Sequence, residues 1–446
     1  MNTATLAPAA APTTAPSAPP GAHEQRRVLA ATLVGTAIEW YDFFIYAQAA
    51  GLYLAAVFFT GLAKDNPGLA LILSFGTVGI SFLFRPLGAI VCGALGDRYG
   101  RKFVLVLTLL LMGGSTTLIG MLPGYASIGL WAPIALILLR IVQGFSAGGE
   151  WGGAALLAVE HAPKNKRSLF GAFPQIGVPL GLILATGVTL LITLVIGKQA
   201  YAEWGWRIPF LLSFVLIVVG VLIRRGVQES PVFTQLHERR AQGSAPLADL
   251  VRQHPRTVFK AALIFIANNA AGYLLIAFLI SYGQRSLGFS STETLLSGVV
   301  AAVAWLAFTL WGGHLGDRIG RVRTFQMGYV LLALWAIPMW FVFNTGSIAL
   351  FLLGLVVLAL PLGLTYGPQA ALYAEMFPAR VRYSGVSVGY ALGAILGGAF
   401  APMIAQTIIA ETGTPWFIGL YSVVPCVGSL WAASRVKARK EVHLNT

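Results

Sequence analysis

Charged side chains are scarce in this sequence: only 10% of its 446 residues are Asp, Glu, Lys or Arg, whereas 57% are hydrophobic. Soluble domains carry about 25% charged residues, so this supply cannot cover a water-exposed surface. The mean hydropathy is +0.76, and successive apolar runs reach the roughly 20 residues that a helix needs to cross a bilayer. The composition therefore excludes a soluble domain and indicates a polytopic membrane protein.

The sequence also has few residues of the kinds that build metal or catalytic centres. It contains two cysteines, Cys92 and Cys426, and six scattered histidines. No disulfide framework or zinc motif is indicated, and neither a nucleophile–base pair nor a phosphate-binding loop is found. We expect no enzyme activity, no catalytic residue, no metal and no cofactor, and we expect both cysteines to be small packing residues.

Acidic residues number 16 against 30 basic ones, which gives a net charge of +14. Most of the Lys and Arg residues fall in alternate connections between the apolar runs and near the ends of the chain. Cytoplasmic loops of membrane proteins carry this excess. The basic balance therefore predicts cytoplasmic N- and C-termini and a lipid environment, not a nucleic-acid partner.

The apolar runs predict an all-α polytopic membrane protein with twelve transmembrane helices in two pseudo-symmetric six-helix bundles. The spans are expected near 28–59, 68–95, 103–123, 131–158, 168–195, 207–225, 257–281, 294–314, 324–343, 346–372, 384–410 and 415–434. The predicted domains are a disordered, proline-rich cytoplasmic tail at 1–27, a bundle at 28–225, a central cytoplasmic loop at 226–256, a second bundle at 257–434 and a cytoplasmic tail at 435–446.

Two short motifs recur at matching places in the two halves. Gly93-x3-Asp97-Arg98-x-Gly100-Arg101 after span 2 returns as Gly313-x3-Asp317-Arg318-x-Gly320-Arg321 after span 8, and Glu160-x2-Pro163-x3-Arg167 after span 4 returns as Glu375-x2-Pro378-x3-Arg382 after span 10. Parallel repeats are typical of transporters whose site lies between the halves near the bilayer midplane. Acid–arginine pairs can hold helix ends together; for the basic residues, a purely topogenic role is the alternative. We predict gating roles for Gly93, Asp97, Arg98, Arg101, Glu160, Arg167, Asp317, Arg318, Arg321, Glu375 and Arg382.

A series of further motifs identifies a family. They are Gly35 to Phe43 (GTAIEWYDF), Arg85 to Gly88 (RPLG), Gly93 to Lys102, Arg140 to Gly144 (RIVQG), Gly148 to Gly153 (GGEWGG), Trp204 to Phe210 (WGWRIPF) and Glu229 to Phe233 (ESPVF). With these motifs in order, the chain resembles the major facilitator superfamily, and specifically its metabolite:proton symporter family, over almost all of 27–440. Segments 131–133, 149–156 and 162–166 look most similar to the shikimate transporter branch.

The resemblance implies a proton-coupled symporter of a bacterial inner membrane that imports a small organic acid by alternating access. Shikimate or a related carboxylate is the expected substrate, the proton is the coupling ion, and a monomer is expected. Other metabolites are alternatives: a dicarboxylate or 2-oxoacid, an aromatic acid, or betaine and proline. A drug:proton efflux antiporter and a non-transporting sensor are less favoured, the sensor because the longest polar loop is short.

Five charged residues lie in the interiors of the predicted spans, away from the span ends, and all are in the first half: Glu39, Asp42, Arg85, Arg140 and Glu150. A charge at the bilayer centre costs on the order of 2.5–3.5 kcal/mol, so we expect these groups to pair with one another around a wet cavity. Glu39, Asp42 and Tyr46 share one helical face. Because an apolar environment favours the protonated form of a carboxyl group, Asp42, and after it Glu39, is predicted to carry the proton. A static ion pair with Arg85 or Arg140 is the alternative.

The two in-membrane arginines have separable expected roles. The planar fork of arginine matches a carboxylate, and the family resemblance associates the motif position of Arg140 with proton coupling. Arg85 is therefore the predicted substrate ligand and Arg140 the coupling residue; the swapped assignment and a structural role are the alternatives. Further predicted substrate contacts are Tyr46, Gln143, Glu150, Asn268, Asn269, Tyr273, Tyr366 and Gln369, although amides in spans often only join helices.

Overall fold

The computed structural model describes residues 22–63, 66–99, 101–148, 150–160, 162–225, 250, 252–378 and 381–436. Residues 1–21 of the predicted N-terminal tail, residues 226–249 and 251 of the predicted central loop, and residues 437–446 of the C-terminal tail lie outside these ranges. All regular secondary structure within them is helical. This confirms the predicted all-α class.

Six spans form the first half of the chain, and short helical turns connect some of them. The spans are α1 (Ala22–Ala49, continued by the π-helical Ala50–Phe59), α2 (Pro67–Leu83 and Arg85–Tyr99), α3 (Arg101–Met121), α4 (Trp131–Ala147 and Trp151–Glu160), α5 (Arg167–Ile196) and α6 (Arg207–Arg225). The connecting turns are Tyr125–Ile128, Lys164–Lys166, Lys198–Ala200 and the π-helical Tyr201–Gly205.

Six further spans form the second half. They are α7 (Pro255–Tyr273, the π-helical Leu274–Phe278 and Leu279–Arg285), α8 (Ser291–Ile319), α9 (Arg321–Ala336 and Pro338–Phe343), α10 (Ile348–Tyr366 and Gln369–Met376), α11 (Arg382–Ala394, the π-helical Ile395–Ala399 and Ala401–Thr412) and α12 (Trp416–Ser434). Among the described residues, nine helices are long and apolar enough to cross a membrane, and α6 with the turn before it forms a tenth span bent by 61°. The other two are α3, whose apolar stretch Val106–Met121 is shorter, and α9, which is interrupted before Pro338.

The first helix begins earlier than its sequence suggests. Helix α1 starts at Ala22, inside the segment 1–27 that is predicted to be disordered. The first residues of α1, Ala-His-Glu-Gln-Arg-Arg, are mostly good helix formers, so a helix can extend beyond the apolar run.

The halves pack internally and then meet along two long contacts. Helix α5 packs along α1 within the first half and along α8 across the interface, and α2 packs against α11 across the other side. Within the first half, α2 and α4 approach very closely: a Cβ atom on Gly144 would lie 1.8 Å from the carbonyl oxygen of Ser81, and one on Gly148 would lie 1.9 Å from that of Arg85. The two glycines therefore permit this close approach of α2 and α4.

Irregular helical segments occur at the interface between the halves. Helices α1, α7 and α11 each contain a π-helical segment, and π-helical turns are frequent at functional sites. Helix α4 is interrupted between Ala147 and Trp151, and α10 breaks at Gly367–Pro368. Glu150 and Gln369, which lie next to these breaks, are both buried.

Candidate functional site

Arg85 is the central residue of the candidate site. It opens the second segment of α2 and is only 4% exposed. Its guanidinium carbon lies 4.1 Å from the ring centre of Phe82, 5.2 Å from that of Phe43 and 5.6 Å from that of Trp40. Aromatic faces attract a cation, and contacts to the faces of a guanidinium do not use its N–H donors, which lie in its plane. The Nε atom of Arg85 has no hydrogen-bonding partner among the described residues.

The second half of the chain supplies the other side of this site. Tyr273 of α7 packs edge-on against Phe43 and Phe82, with ring centres 5.5 and 5.0 Å away. The side chains of Tyr273 and Tyr390 lie close to Arg85, and Glu39 lies near Tyr390. The predicted residues Glu39, Arg85 and Tyr273 are therefore brought together at the junction of the two halves.

Polar atoms without partners are concentrated around this junction. Each belongs to a buried side chain, and none has a hydrogen-bonding partner among the described residues. Buried polar atoms in proteins are normally bonded to protein or to ordered water, so such a cluster indicates a place where a polar ligand or water binds. The atoms are the Arg85 Nε, the Trp40 and Trp305 Nε1, the Asn269 Oδ1, the Gln369 Nε2 and the hydroxyls of Tyr273 and Tyr390.

Several aromatic residues of the site are not among the predicted contact residues. Tyr390 of α11 stacks on Trp151 of α4, with ring centres 3.8 Å apart, and on Phe265 of α7 at 4.6 Å. The ring of Trp40 faces the Arg85 guanidinium. A buried aromatic residue in a membrane span is common and uncharged, so only a three-dimensional structure distinguishes these from other core aromatics. Trp40 and Trp151 stand inside quoted motifs, which was the one hint available.

Asp42 lies in a separate, polar environment inside the first half. It is 1% exposed, and its Oδ1 atom accepts a hydrogen bond of 2.5 Å from the Ser213 hydroxyl of α6. The hydroxyl of Thr116 on α3 also faces the carboxyl group. Thr116 in turn accepts a hydrogen bond from the Gln143 Nε2 atom at 2.7 Å. A short polar chain thus begins at Asp42 and leads towards α4.

This chain ends at Arg140, which is fully buried. The Arg140 Nη1 atom donates to the Gln143 Oε1 atom at 2.5 Å, and its Nη2 atom donates to the Ser81 hydroxyl at 2.8 Å. The Arg140 guanidinium also lies 3.8 Å from the ring centre of Tyr46 and 5.2 Å from that of Phe43. Asp42 and Arg140 are therefore connected through Gln143 and Thr116, and Phe43 separates Arg140 from Arg85.

The expectation that the in-membrane charges pair with one another is wrong for Asp42 and Arg140. Among the described residues neither makes a salt bridge, because neutral groups meet both charges: hydroxyls at Asp42, and an amide, a hydroxyl and carbonyls at Arg140. The static ion pair considered as an alternative for Asp42 is accordingly not formed in this conformation.

The remaining predicted contact residues divide between the site and its surroundings. Asn268 donates to the Leu362 carbonyl and the Thr365 hydroxyl of α10, so it joins helices. The Tyr46 hydroxyl pairs with that of Thr77. Gln369 and the Tyr366 carbonyl accept from Gln175 of α5 across the interface. Glu150 is buried at the break in α4 near Cys92.

The second copy of the duplicated loop motif joins the two halves at one face of the protein. Asp317 accepts hydrogen bonds from the backbone amides of Ser168 and Leu169, both at 2.9 Å. Arg321 donates to the Ser168 hydroxyl at 2.9 Å and forms a salt bridge with Glu375. The second-half acids and arginines thus hold the first turn of α5. We name this contact of Ser168 and Leu169 with Asp317 and Arg321 the inner closure.

Some of the other predicted gating residues surround the inner closure, and the rest fall outside the described residues. Arg167 lies near Glu375 and Arg321, and Arg382 lies near Glu160. The side chain of Arg318 is exposed at the end of α8. The side chains of Asp97, Arg98 and Arg101, and the surroundings of Gly93, fall outside the described residues.

A second closure joins the halves at the opposite face, and the sequence predicts no part of it. The carbonyl oxygen of Gly51, in the π-helical segment of α1, accepts hydrogen bonds from α7. The donors are the Ser281 hydroxyl at 3.2 Å and the Nε and Nη2 atoms of Arg285 at 3.3 and 3.1 Å. We name this contact the outer closure. Both faces are therefore held by cross-half hydrogen bonds in this conformation.

Comparison with known proteins identifies the fold and the relatives. The sequence profile described as Major Facilitator Superfamily matches residues 32–402. The chain is 40% identical to the inner membrane metabolite transport protein YhjE of Escherichia coli (90% of this chain, 91% of that protein) and 36% identical to the shikimate transporter of the same organism (92% and 94%). The xylose transporter XylE of E. coli, in a partially occluded inward-open structure, shares the fold with a TM-score of 0.74 at 16% identity, over 94% of this chain and all of that one.

Proposed function

Because the chain belongs to the Major Facilitator Superfamily, it is a metabolite transporter and not an enzyme, and we propose that it imports a small organic acid together with a proton. The observation that carries the proposal is the buried guanidinium of Arg85 at the junction of the halves. The similarity to a shikimate transporter adds the substrate hypothesis.

The surroundings of Arg85 suit a carboxylate. Burial of a charge costs several kcal/mol, and the three rings around Arg85 offset part of this cost, since each cation–π contact contributes roughly 0.5–2 kcal/mol. A substrate carboxylate in the plane of the guanidinium supplies a negative charge and accepts the Nε–H donor, which has no partner among the described residues. The hydroxyls of Tyr273 and Tyr390 stand beside it as further donors.

The other unpartnered atoms favour a hydroxylated ring over a betaine. The Asn269 Oδ1 atom is buried and accepts no hydrogen bond from the described residues, so it requires an O–H or N–H donor from the substrate. A quaternary ammonium has neither. The stacked rings of Trp151, Tyr390 and Phe265 offer apolar faces to a carbon ring. Shikimate, a cyclic carboxylate with hydroxyl groups, meets all three demands.

The arrangement also supports coupling to a proton. Asp42 is the buried acid of the polar chain that leads through Thr116 and Gln143 to Arg140. Phe43 is the next residue after Asp42, and its ring centre lies 5.2 Å from the guanidinium carbons of both Arg85 and Arg140. A change in the charge of Asp42 therefore alters the hydrogen bonds of Arg140, and Phe43 transmits that rearrangement to the substrate arginine. The inner and outer closures are the contacts that alternate as the halves rock.

Uptake into proteoliposomes tests the substrate assignment. We expect saturable uptake of labelled shikimate by the wild type and a loss of at least about tenfold in Arg85→Lys, because lysine keeps the charge but loses the fork. Arg323→Lys, at an exposed position of α9, is the matched control and keeps wild-type uptake. Transport of betaine but not shikimate by the wild type would contradict the proposed substrate class. Drug export without uptake of any carboxylate would contradict the proposed function.

A further inference from the structure

A small polar cavity lies within the first half, apart from the substrate site. It has a volume of about 10 Å³, close to the least space in which one water molecule fits. Helices α1, α5 and α6 and the turn before α6 enclose it. Its lining residues are Ile45, Gln48, Ala49, Leu52, Tyr53, Thr189, Tyr201, Pro209 and Phe210.

One wall of the cavity carries a polar atom that lacks a partner. Gln48 is 3% exposed, and its Nε2 atom donates to the Thr186 hydroxyl at 2.5 Å. Its Oε1 atom is buried and accepts no hydrogen bond from the described residues. An apolar cavity stays dry, whereas a cavity with such an acceptor and the hydroxyls of Thr189 and Tyr201 holds water. The cavity therefore suits one water molecule.

The cavity reaches towards the membrane surface at one end. Tyr201 lines it, and the next residues of the same turn, Ala202 to Trp204, are exposed. The Tyr201 hydroxyl donates to the Thr189 hydroxyl at 3.4 Å, and the ring centres of Tyr201 and Tyr53 lie 5.2 Å apart. This is the face that carries the outer closure, which the charge distribution predicts to be periplasmic.

The other end of the cavity reaches towards Asp42. Pro209 lines the cavity, and its carbonyl oxygen accepts a hydrogen bond of 2.8 Å from the hydroxyl of Tyr41. The Tyr41 side chain lies within electrostatic range of both Asp42 and Tyr201. Ser213, which donates to Asp42, is one helical turn beyond Pro209 on α6. Thr116 of α3 is the remaining polar group that faces the carboxyl, and Arg140 lies beyond it.

We propose that this cavity is the proton route from the outer face to Asp42, separate from the path of the substrate, with Gln48 positioning its water and Tyr41 relaying the proton. A proton from the bath passes to the cavity water. For the relay, the Tyr41 hydroxyl turns from the Pro209 carbonyl to the Asp42 carboxylate, gives its own proton there and takes one from the cavity water, so both relays end neutral. Because the route runs inside the first half, Asp42 can gain its proton while the halves enclose the substrate.

The proposal rests on proton symport, and its test separates the two. Gln48→Leu removes both polar atoms with little change in volume, and Tyr41→Phe removes only the hydroxyl. Thr193→Val is the matched control, since Thr193 is buried one turn beyond Thr189 on the same helix but bonds only its own backbone. Each is reconstituted and measured in two ways: shikimate-driven alkalinisation with net uptake under an acid-outside gradient, and shikimate exchange at equal pH, which needs no net proton release.

The proposal predicts that net uptake and alkalinisation fall at least about tenfold in Gln48→Leu and Tyr41→Phe, since a positioned proton-transfer group contributes about 10²–10⁴ in rate, while exchange stays within about twofold. The control should match the wild type in both assays. An equal fall of exchange and net uptake, or unchanged net uptake in both variants, overturns the route but leaves symport intact. Uptake by the wild type without alkalinisation overturns symport, and the route with it.

Discussion

Asp317 of the second half holds the first turn of a helix in the first half, because its carboxylate accepts the backbone amide of Ser168 at 2.9 Å. The neighbouring amide of Leu169 donates to the second carboxylate oxygen. Unpaired amides at a helix N-terminus attract negative charge. This one residue thus satisfies two such amides and joins the two halves, which makes the inner closure dependent on its charge.

We expect Asp317→Asn to shift the protein towards opening of the inner face. An anion at a helix N-terminus contributes roughly 0.3–2 kcal/mol, so the equilibrium should move by up to about thirtyfold. Opening can be followed by alkylation of Ser387→Cys, because Ser387 packs against Gly152 across the interface. The native Cys92 and Cys426 are replaced by alanine in this background.

Glu293→Gln is the matched control for Asp317→Asn. Glu293 belongs to the capping box at the opposite end of α8 and bonds only Ser290 of its own half. The control should leave the alkylation rate unchanged. An Asp317→Asn protein that reacts no faster than the control contradicts a closing role for Asp317.

The outer closure should respond in the opposite direction. Arg285→Ala removes two of the three hydrogen bonds to the Gly51 carbonyl, and hydrogen bonds to charged groups contribute about 1.5–3 kcal/mol each. We expect alkylation of Met403→Cys, which lies near Gly76 of α2 across the interface, to rise at least about tenfold. Arg207→Ala is the control, since Arg207 bonds Leu122 within its own half. Equal reactivity of the two variants would contradict the role of Arg285 in the outer closure.

Close packing of α2 on α4 makes Gly144 intolerant of a side chain. A Cβ atom there would lie 1.8 Å from the Ser81 carbonyl oxygen, whereas one on Gly114 of α3 would meet nothing within 4 Å. Overpacking of this kind costs about 1–3 kcal/mol or more. We expect Gly144→Ala to lower the folded fraction in size-exclusion chromatography and Gly114→Ala to leave it unchanged. Equal yields would show that α2 and α4 can separate without loss of the fold.

Hydropathy and the repeated loop motifs were sufficient to predict the all-helical fold, because membrane spans must satisfy their backbone internally. The break in α10 falls at Gly367–Pro368, where a proline marks it in the sequence. The π-helical segment at Gly51 had no such signal, since no proline or charge marks it. The outer closure, which uses the carbonyl of Gly51, was therefore missed.

The scarce charged residues were sufficient to locate the part of the site that the first half contributes, but not the groups that these residues contact. Arg85 and Asp42 stand out in a sequence that has few charges, and the structure buries both. Which polar group each one meets depends on helix rotation, which periodicity does not fix. For this reason the expected charge pairing failed at Asp42, Asn268 turned towards α10, and Tyr390 of α11 was not anticipated at the site.

Proton coupling through Asp42 is tested most directly by Asp42→Asn in proteoliposomes. The wild type should accumulate labelled shikimate above its external concentration under an acid-outside gradient, and a protonophore should abolish the accumulation. The variant cannot release and rebind a proton at this position, so it should exchange shikimate at equal pH but never accumulate it. Gradient-driven accumulation that persists in Asp42→Asn would contradict the assignment of Asp42 as the proton carrier.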